Sequence, residues 1–232
     1  MSRAPKLNDP RPAVWINCAA SLDGRIALAG GKRATLSSPE DLVRVQQLRT
    51  NADAILVGVG TVVLDDPSLR VHWELLDPAL PAGKNPTRVV VDSSGRIPAN
   101  ARVLDGSTPT IVATSERSTR VYPAPVRRIV AGSVRVDLAE LFVELHRLGI
   151  RRLLVEGGSE ILGSVLRSGL WDRLTIYTAP IVVGGTTAPT VTSGPSEVHD
   201  LADAVPMELA GLDRLGPGYV ATYVPRPPPS AP

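Results

Sequence analysis

One pattern, used twice, constrains this chain more than any other. An unbroken apolar run ends in glycines and passes at once into helix-forming sequence. It occurs as "ADAILVGVG" (52–60) and as "RRLLVEGGSEILGSVL" (151–166). A strand that is apolar at every position is buried on both faces, which happens where a parallel sheet is covered by helices. The helix that follows at once is then the crossover to the next strand. The pattern therefore predicts an α/β fold with a mostly parallel central sheet.

The rest of the chain fits that frame. "AVWIN" (13–17) predicts a first strand. In "SSPEDLVRVQQLRT", Ser38 suits a helix cap and Pro39 the first helical position, while Glu40 and Asp41 favour the positive end of the dipole. Leu42, Val45 and Leu48 form an apolar stripe that leaves Arg44 outside and Arg49 at its edge. "TRVVVD", "TPTIVATS" and "VRRIVA" predict three more strands. "DLAELFVELHRLG" is the clearest helix, with Asp137 and Glu140 at capping-box spacing and Gly149 as its stop. "RRLLVE" and "SEILGSVLRSG" form a strand and a short helix, and strands and turns fill the last third. Helices should lie on both faces of the sheet, with antiparallel strands added at the C-terminal end. No repeat or low-complexity linker divides the chain. One domain over 1–224 is expected, with a Pro-rich, disordered tail at 225–232.

Composition narrows the function. A formal charge of +2 and the lack of a Lys/Arg run argue against a nucleic-acid surface. Cys18 is the only cysteine, so no intrachain disulfide can form, and its expected state is a buried, inert thiol. The stretch "MSRAPKLNDPRP" lacks the apolar core of a signal peptide, and no apolar stretch approaches a bilayer span, so a soluble cytoplasmic protein is expected. His72, His146 and His199 lack metal-ligand spacing, and His146 should lie on the solvated side of its helix. No serine occupies a G-x-S-x-G elbow. No metal is expected. What remains is chemistry performed by a bound cofactor that the protein orients.

The glycine-rich strand ends are the candidate site. Gly157 and Gly158 let a ligand approach the backbone, and the helix beginning near Ser159 offers free N–H groups to an anion. Gly58 and Gly60 open a second strand end, where Thr61 adds a hydroxyl and Asp65 a carboxylate, with Arg70 and His72 further on. Tight turns with glycines for geometry alone are the alternative at both places. Together the two ends suggest a cradle long enough for a dinucleotide. In "NCAASLDGR", Asp-Gly marks a β-turn, while Asn17 is an amide at the end of a buried strand and needs partners. Those partners are either backbone groups or the edge of a heterocycle.

These stretches, in this order, resemble the reductase family of riboflavin biosynthesis. The similarity runs from "INCAASLDGRIA" through "EDLVRVQQLRTNADAILVGVGTVVLDDPSLRVH", "PTRVVVDSSGRIP" and "RRLLVEGGSEILGSVL" to "YTAPIVVGG". The resemblance implies a dihydrofolate-reductase-like fold, a homodimer, and NADPH-dependent reduction of a ribosylaminopyrimidine phosphate. In that reaction the ribose ring opens and hydride reaches its C1′, giving a ribityl chain. By position, Ala19, Thr61, Asp65 and Ser93 correspond to cofactor contacts, as does the stretch Gly157, Gly158, Ser159, Glu160 and Ile161 running on to Ser164. Arg49, Leu69 and His72 correspond to the substrate-phosphate pocket, and Arg33 to a loop that touches substrate. Glu156 and Asn17 correspond to the reacting end, as the catalytic pair. "TSERS" (114–118) supplies Arg117 for an adenosine 2′-phosphate.

Two departures from the two-domain bacterial members matter. No zinc-deaminase signature is present, and Asn17 and His72 stand where those proteins carry Lys and usually Arg. The stand-alone archaeal and fungal-type reductases resemble the chain better. Their substrate is 2,5-diamino-6-ribosylamino-4(3H)-pyrimidinone 5′-phosphate, and an amide that can donate and accept suits a ring bearing an amino group. The competing readings are reduction of the deaminated 5-amino-6-ribosylaminouracil 5′-phosphate, a dihydrofolate-type reductase, a relative acting on another aminopyrimidine nucleotide, and a non-catalytic nucleotide sensor.

Overall fold

A computed structural model describes residues 10–32, 34–78, 83–194 and 198–226. Arg33 and residues 227–232 of the Pro-rich tail lie outside the described residues. Among the described residues, nine strands form one mixed sheet in the order β5-β4-β3-β2-β6-β1-β7-β9-β8. The strands are β1 (Ala13–Ser21), β2 (Ala54–Gly58), β3 (Thr87–Val91), β4 (Thr110–Thr114), β5 (Arg127–Val130), β6 (Arg152–Gly157), β7 (Arg173–Ala179), β8 (Met207–Leu215) and β9 (Gly218–Pro225). β5 through β7 in that order are all parallel, while β9 pairs antiparallel with β7, and β8 with β9. The α-helices are α1 (Pro39–Thr50), α2 (Val59–Asp65), α3 (Leu138–Arg147) and α4 (Ser159–Ser168).

The apolar runs behave as two-sided strands. Along β2, Ala54 and Leu56 join the core under α3 and α4, whereas Ile55 and Val57 join the core on the α1 and α2 face. β3 and β6 alternate in the same way: Val89, Val91, Leu153 and Val155 face one core, and Val90 and Leu154 the other. α3 supplies Leu141, Phe142 and Leu145, and α4 supplies Leu162, Val165 and Leu166. Among the described residues, no helix is long and apolar enough to cross a membrane.

Local signals hold at the helix ends. Ser38 accepts from the Asp41 N–H, and Pro39 opens α1. Asp137 accepts from the Ala139 and Glu140 N–H groups. The capping box is altered: Glu140 reaches the N–H of Gly132 at 2.7 Å, tying α3 to the loop after β5. His146 departs from expectation. It is only partly exposed, and its Nδ1 is buried without a partner.

α1 also departs. Its buried residues are Asp41 and Gln46, while Leu42 is 37% exposed and borders an open cleft. Only part of the apolar stripe faces inward: Leu48 packs against the core on that side, while Asp41 and Gln46 are buried against polar partners. Chain order explains why a cleft forms there. β1 and β2 are laid down with a gap between them, the chain moves outward to β5, and β6 returns to fill the gap. Such a reversal leaves a crevice outside the carboxyl ends of the strands.

Candidate active site

The cleft has a volume of about 260 Å³ and lies over the carboxyl ends of β1 and β6. Cys18 and Ala19 of β1, Thr61 and Asp65 of α2, and Glu156, Gly157 and Gly158 line it. Ile26, Leu36 and Leu162 add apolar wall, and residues 34–37 close one side.

The two glycine-opened strand ends meet. β2 and β6 are neighbours, and the Thr61 hydroxyl oxygen stands 3.5 Å and 3.2 Å from where a Cβ on Gly157 or Gly158 would lie. Side chains at those two positions would fill the space a ligand needs. Gly58 serves packing instead, since a Cβ there would stand 2.7 Å from Ile161 of α4. Ile161 is thereby partly buried against the core. α1 and α3 carry side-chain caps, whereas α4 begins at Gly158 with none, so its first N–H groups stay available at the cleft. The Ser159 hydroxyl is turned toward Ser193, at 2.8 Å.

Glu156 occupies an irregularity in the ladder. Leu56 pairs with Val155 and Val57 with Gly157, so Glu156 is the extra residue of a bulge. A bulge re-aims the side chain it carries. Glu156 receives the Arg49 Nε at 2.8 Å and Nη2 at 2.7 Å, a bidentate pair with side chains 15% and 10% exposed. Arg49 Nη1 donates to the carbonyl of Arg70 at 2.7 Å. Burial disfavours the Arg49 charge, but the Glu156 carboxylate outweighs it, and the guanidinium is held protonated above its ordinary range.

The segment after α2 is pinned to α1. The His72 N–H donates to Gln46 and the Val71 N–H to Asn85, both at 2.9 Å. Leu69 is buried in a left-handed conformation, φ 48°, and Asp66 has φ 40°. The His72 ring is nearly half exposed and meets Glu74 at 2.8 Å. Leu69 and His72 are thus carried close to Arg49 by backbone contacts. Ser93 sits one strand beyond β2: its hydroxyl accepts from the Val136 N–H and its carbonyl from Ser115. Arg117 is exposed at the end of β4.

On β1, Asn17 is buried. Its Oδ1 accepts from Arg44 Nη2 at 2.8 Å and from Thr175 Oγ1 at 2.9 Å. The sequence suggests an amide that both donates and accepts, yet its acceptor is used inside the protein. Asp41, 1% exposed, holds Arg44. Arg44 and Asp41 were not legible as site residues. Their three-residue spacing reads equally as a surface ion pair on a helix. Cys18 lines the cleft, and burial pushes its thiol up to about 12. Among the described residues no cluster of ligating side chains could hold a metal. The "LDGR" turn is structural: Asp23 accepts from the N–H groups of Val183 and Gly184.

The family model described as RibD C-terminal domain matches residues 12–221. A protein of Methanothermobacter thermautotrophicus named 2,5-diamino-6-ribosylamino-4(3H)-pyrimidinone 5′-phosphate reductase is 43% identical, over 92% of this chain and 98% of its own. A protein of the same name from Archaeoglobus fulgidus is 41% identical, over 91% and 97%. Among solved structures, a deaminase/reductase from Thermotoga maritima superposes with TM-score 0.79 at 24% identity, over 93% of this chain and 57% of its own. The chain thus spans little more than half of that bacterial protein. The riboflavin biosynthesis reductase of Saccharomyces cerevisiae gives TM-score 0.70 at 22% identity, over 96% and 92%. These two likenesses carry the dihydrofolate-reductase-like fold alone.

Proposed function

This chain belongs to the RibD C-terminal domain family, and from that premise we propose that it is the pyrimidine ribosyl-phosphate reductase of riboflavin biosynthesis. Its substrate is 2,5-diamino-6-ribosylamino-4(3H)-pyrimidinone 5′-phosphate and its reductant NADPH, in line with the names of the archaeal relatives. One observation carries the reading: a bare-backbone cradle, Gly157 and Gly158 facing Thr61, lies beside a carboxylate aimed by a bulge and clamped by Arg49.

The cradle residues fit a dinucleotide. Gly157 and Gly158 leave room against Thr61, and the uncapped start of α4 offers N–H groups to a pyrophosphate. Ala19 and Asp65 border the same cleft. When bound, the reduced nicotinamide supplies the hydride for C1′ of the opened ribose. The protein's part is to hold the partners in line, which can account for most of the acceleration in such a transfer. Glu156 receives Arg49 on both oxygens, leaving their outer lone pairs for N–H groups of the aminopyrimidine. Arg49 uses three of its five N–H donors within the protein, and the other two remain for the substrate, with Leu69 and His72 alongside. Ile26, Leu36 and Leu162 keep water from the reacting carbon.

The same reading takes the protein as a cytoplasmic homodimer. The exposed Leu209 and Leu212 on the edge strand β8, with Ile181 and Val182, are the apolar surface that supports it. The test is loss of reduced-nicotinamide absorbance with the diamino substrate, its deaminated counterpart and dihydrofolate in parallel. Turnover of the diamino form is expected. Turnover of dihydrofolate alone, or binding without turnover, contradicts the proposal.

A further inference from the structure

An amide side chain ends in an acceptor oxygen and a donor NH₂ of almost the same shape, so its neighbours must decide which way it points. At Asn17 the decision rests with Arg44. Its Nη2 lies 2.8 Å from the amide, and a guanidinium only donates, so the atom it meets has to be the oxygen. Thr175 brings a second donor to the same oxygen at 2.9 Å, which fills both lone pairs. Nδ2 makes no hydrogen bond among the described residues, and it is not among the polar atoms sealed from solvent without a partner. It is the amide's remaining capacity.

We propose that Arg44 is a positioning residue that holds Asn17 as a pure donor, so that β1, beside the cleft, offers a hydrogen bond to an acceptor on the pyrimidine ribosyl phosphate. The proposal rests on the reductase reading above. Ile16 pairs with Val155 in register, which puts Asn17 next to Glu156 on the adjacent strand. A donor and an acceptor therefore stand on adjacent strands. A ligand that fits presents an acceptor to Asn17 and N–H to Glu156. The positive charge of Arg44 at Oδ1 also polarises the amide and strengthens its N–H groups as donors.

Arg44 is itself held by Asp41. Asp41 takes its Nε and Nη2 at 2.8 Å, is 1% exposed, and leaves Oδ2 buried without a partner. A buried pair of this kind is weak as a source of stability but effective at fixing one orientation. The Ser38 cap and Pro39 hold Asp41 in the first turn of α1, so helix start, ion pair and amide form one chain of placement.

The experiment compares Arg44→Leu, Arg44→Lys, Asn17→Leu, Asn17→Asp and the double Arg44→Leu/Asn17→Leu. Steady-state kinetics, cofactor titration, and the Asn17 side-chain amide signals in ¹H–¹⁵N spectra of the ligand-free protein are measured. Arg44→Leu should raise KM for the pyrimidine substrate about tenfold, the weight of one lost hydrogen bond, with cofactor affinity unchanged. Arg44→Lys, which also only donates, should recover most of it. The double variant should be no worse than Asn17→Leu, since one residue acts through the other. The Asn17 amide signals should move toward free-amide positions in Arg44→Leu and stay in Arg44→Lys. Should Arg44→Leu not fold, Asn17→Asp decides: it keeps acceptors for Arg44 and Thr175 while removing the donor and adding a charge, and should lose at least as much as Asn17→Leu. Wild-type KM in Asn17→Asp, additive losses in the double variant, or amide signals indifferent to Arg44→Leu would each overturn the proposal. The spectra need no turnover. Amide signals that respond as described in a protein that reduces no pyrimidine phosphate would sink the reductase reading and leave the orientation intact.

Discussion

Arg49 on α1 and Glu156 on β6, 107 residues apart in the chain, are joined by two parallel hydrogen bonds of 2.8 and 2.7 Å. The pair links a helix on one face of the sheet to the bulged end of a central strand. The residue expected to hold the substrate phosphate and the one expected at the reacting end thus form a single unit. Changing either disturbs both.

Glu156→Gln keeps the shape but loses the carboxylate, and should slow single-turnover hydride transfer by at least about tenfold, the range expected when positioning is lost. An unchanged rate would remove Glu156 from the reacting centre. Arg49→Ala strands a largely buried carboxylate and should cost about 3 kcal/mol in urea unfolding, alongside a raised KM for the phosphorylated substrate.

Gly158 has φ −60° and ψ 175°, a backbone open to any residue, so a substitution there tests space rather than strain. Gly158→Val should weaken cofactor binding about tenfold in a fluorescence titration, roughly 1.4 kcal/mol, beyond the modest fall in Tm that a poorer helix cap brings. A variant that binds the cofactor as tightly as the wild type removes the cradle from the binding site.

Acid stability should depend on the fully buried Arg88. Asp105 accepts from it at 2.8 Å. Desolvation pushes the Asp105 carboxyl up, but hydrogen bonds from Arg88 and Ser107 outweigh this and hold it well below the usual carboxylate range. A lowered folded-state value means the stabilisation is complete above the ordinary carboxyl value of 3.8 and is lost as pH falls through the lower one. Asp105→Asn should flatten the pH dependence of unfolding below about pH 4. An equally steep acid limb in the variant would rule out this pair as its source.

Cys18 borders the cleft, yet its thiol is pushed up to about 12 by burial, with Arg44 lowering it and Asp41 raising it. At neutral pH the thiol therefore stays protonated and unreactive. Labelling by a thiol reagent should track global unfolding across urea concentrations. Rapid labelling of the native protein would show the thiol to be accessible and ionised.

Much of the architecture was legible in the chain. "AILV", "VVV" and "LLV" are apolar without alternation, and they form interior strands of a parallel stretch with helices on both faces. Ser38, Pro39 and Asp137 mark helix starts because an N-cap is a contact within four residues. The glycines of "VEGGSE" were legible as a bare-backbone corner, and the structure places Gly157 and Gly158 against Thr61. The bulge at Glu156 was not, since it exists only relative to β2.

By itself the sequence determined what acts over one or two turns of chain: where helices begin, which runs are buried on both faces, and which corners lack side chains. Periodicity and capping are local, so a linear reading captures them. Tertiary structure alone decided which charged groups are partners. That Arg49 spends its guanidinium on Glu156, and that Arg44, outside the apolar stripe of α1, turns Asn17 into a donor, depends on β6 filling the gap between β1 and β2 beneath that helix. Hydrogen bonds reach only about 3 Å, and nothing in the spacing of residues 44 and 17, or 49 and 156, encodes that proximity.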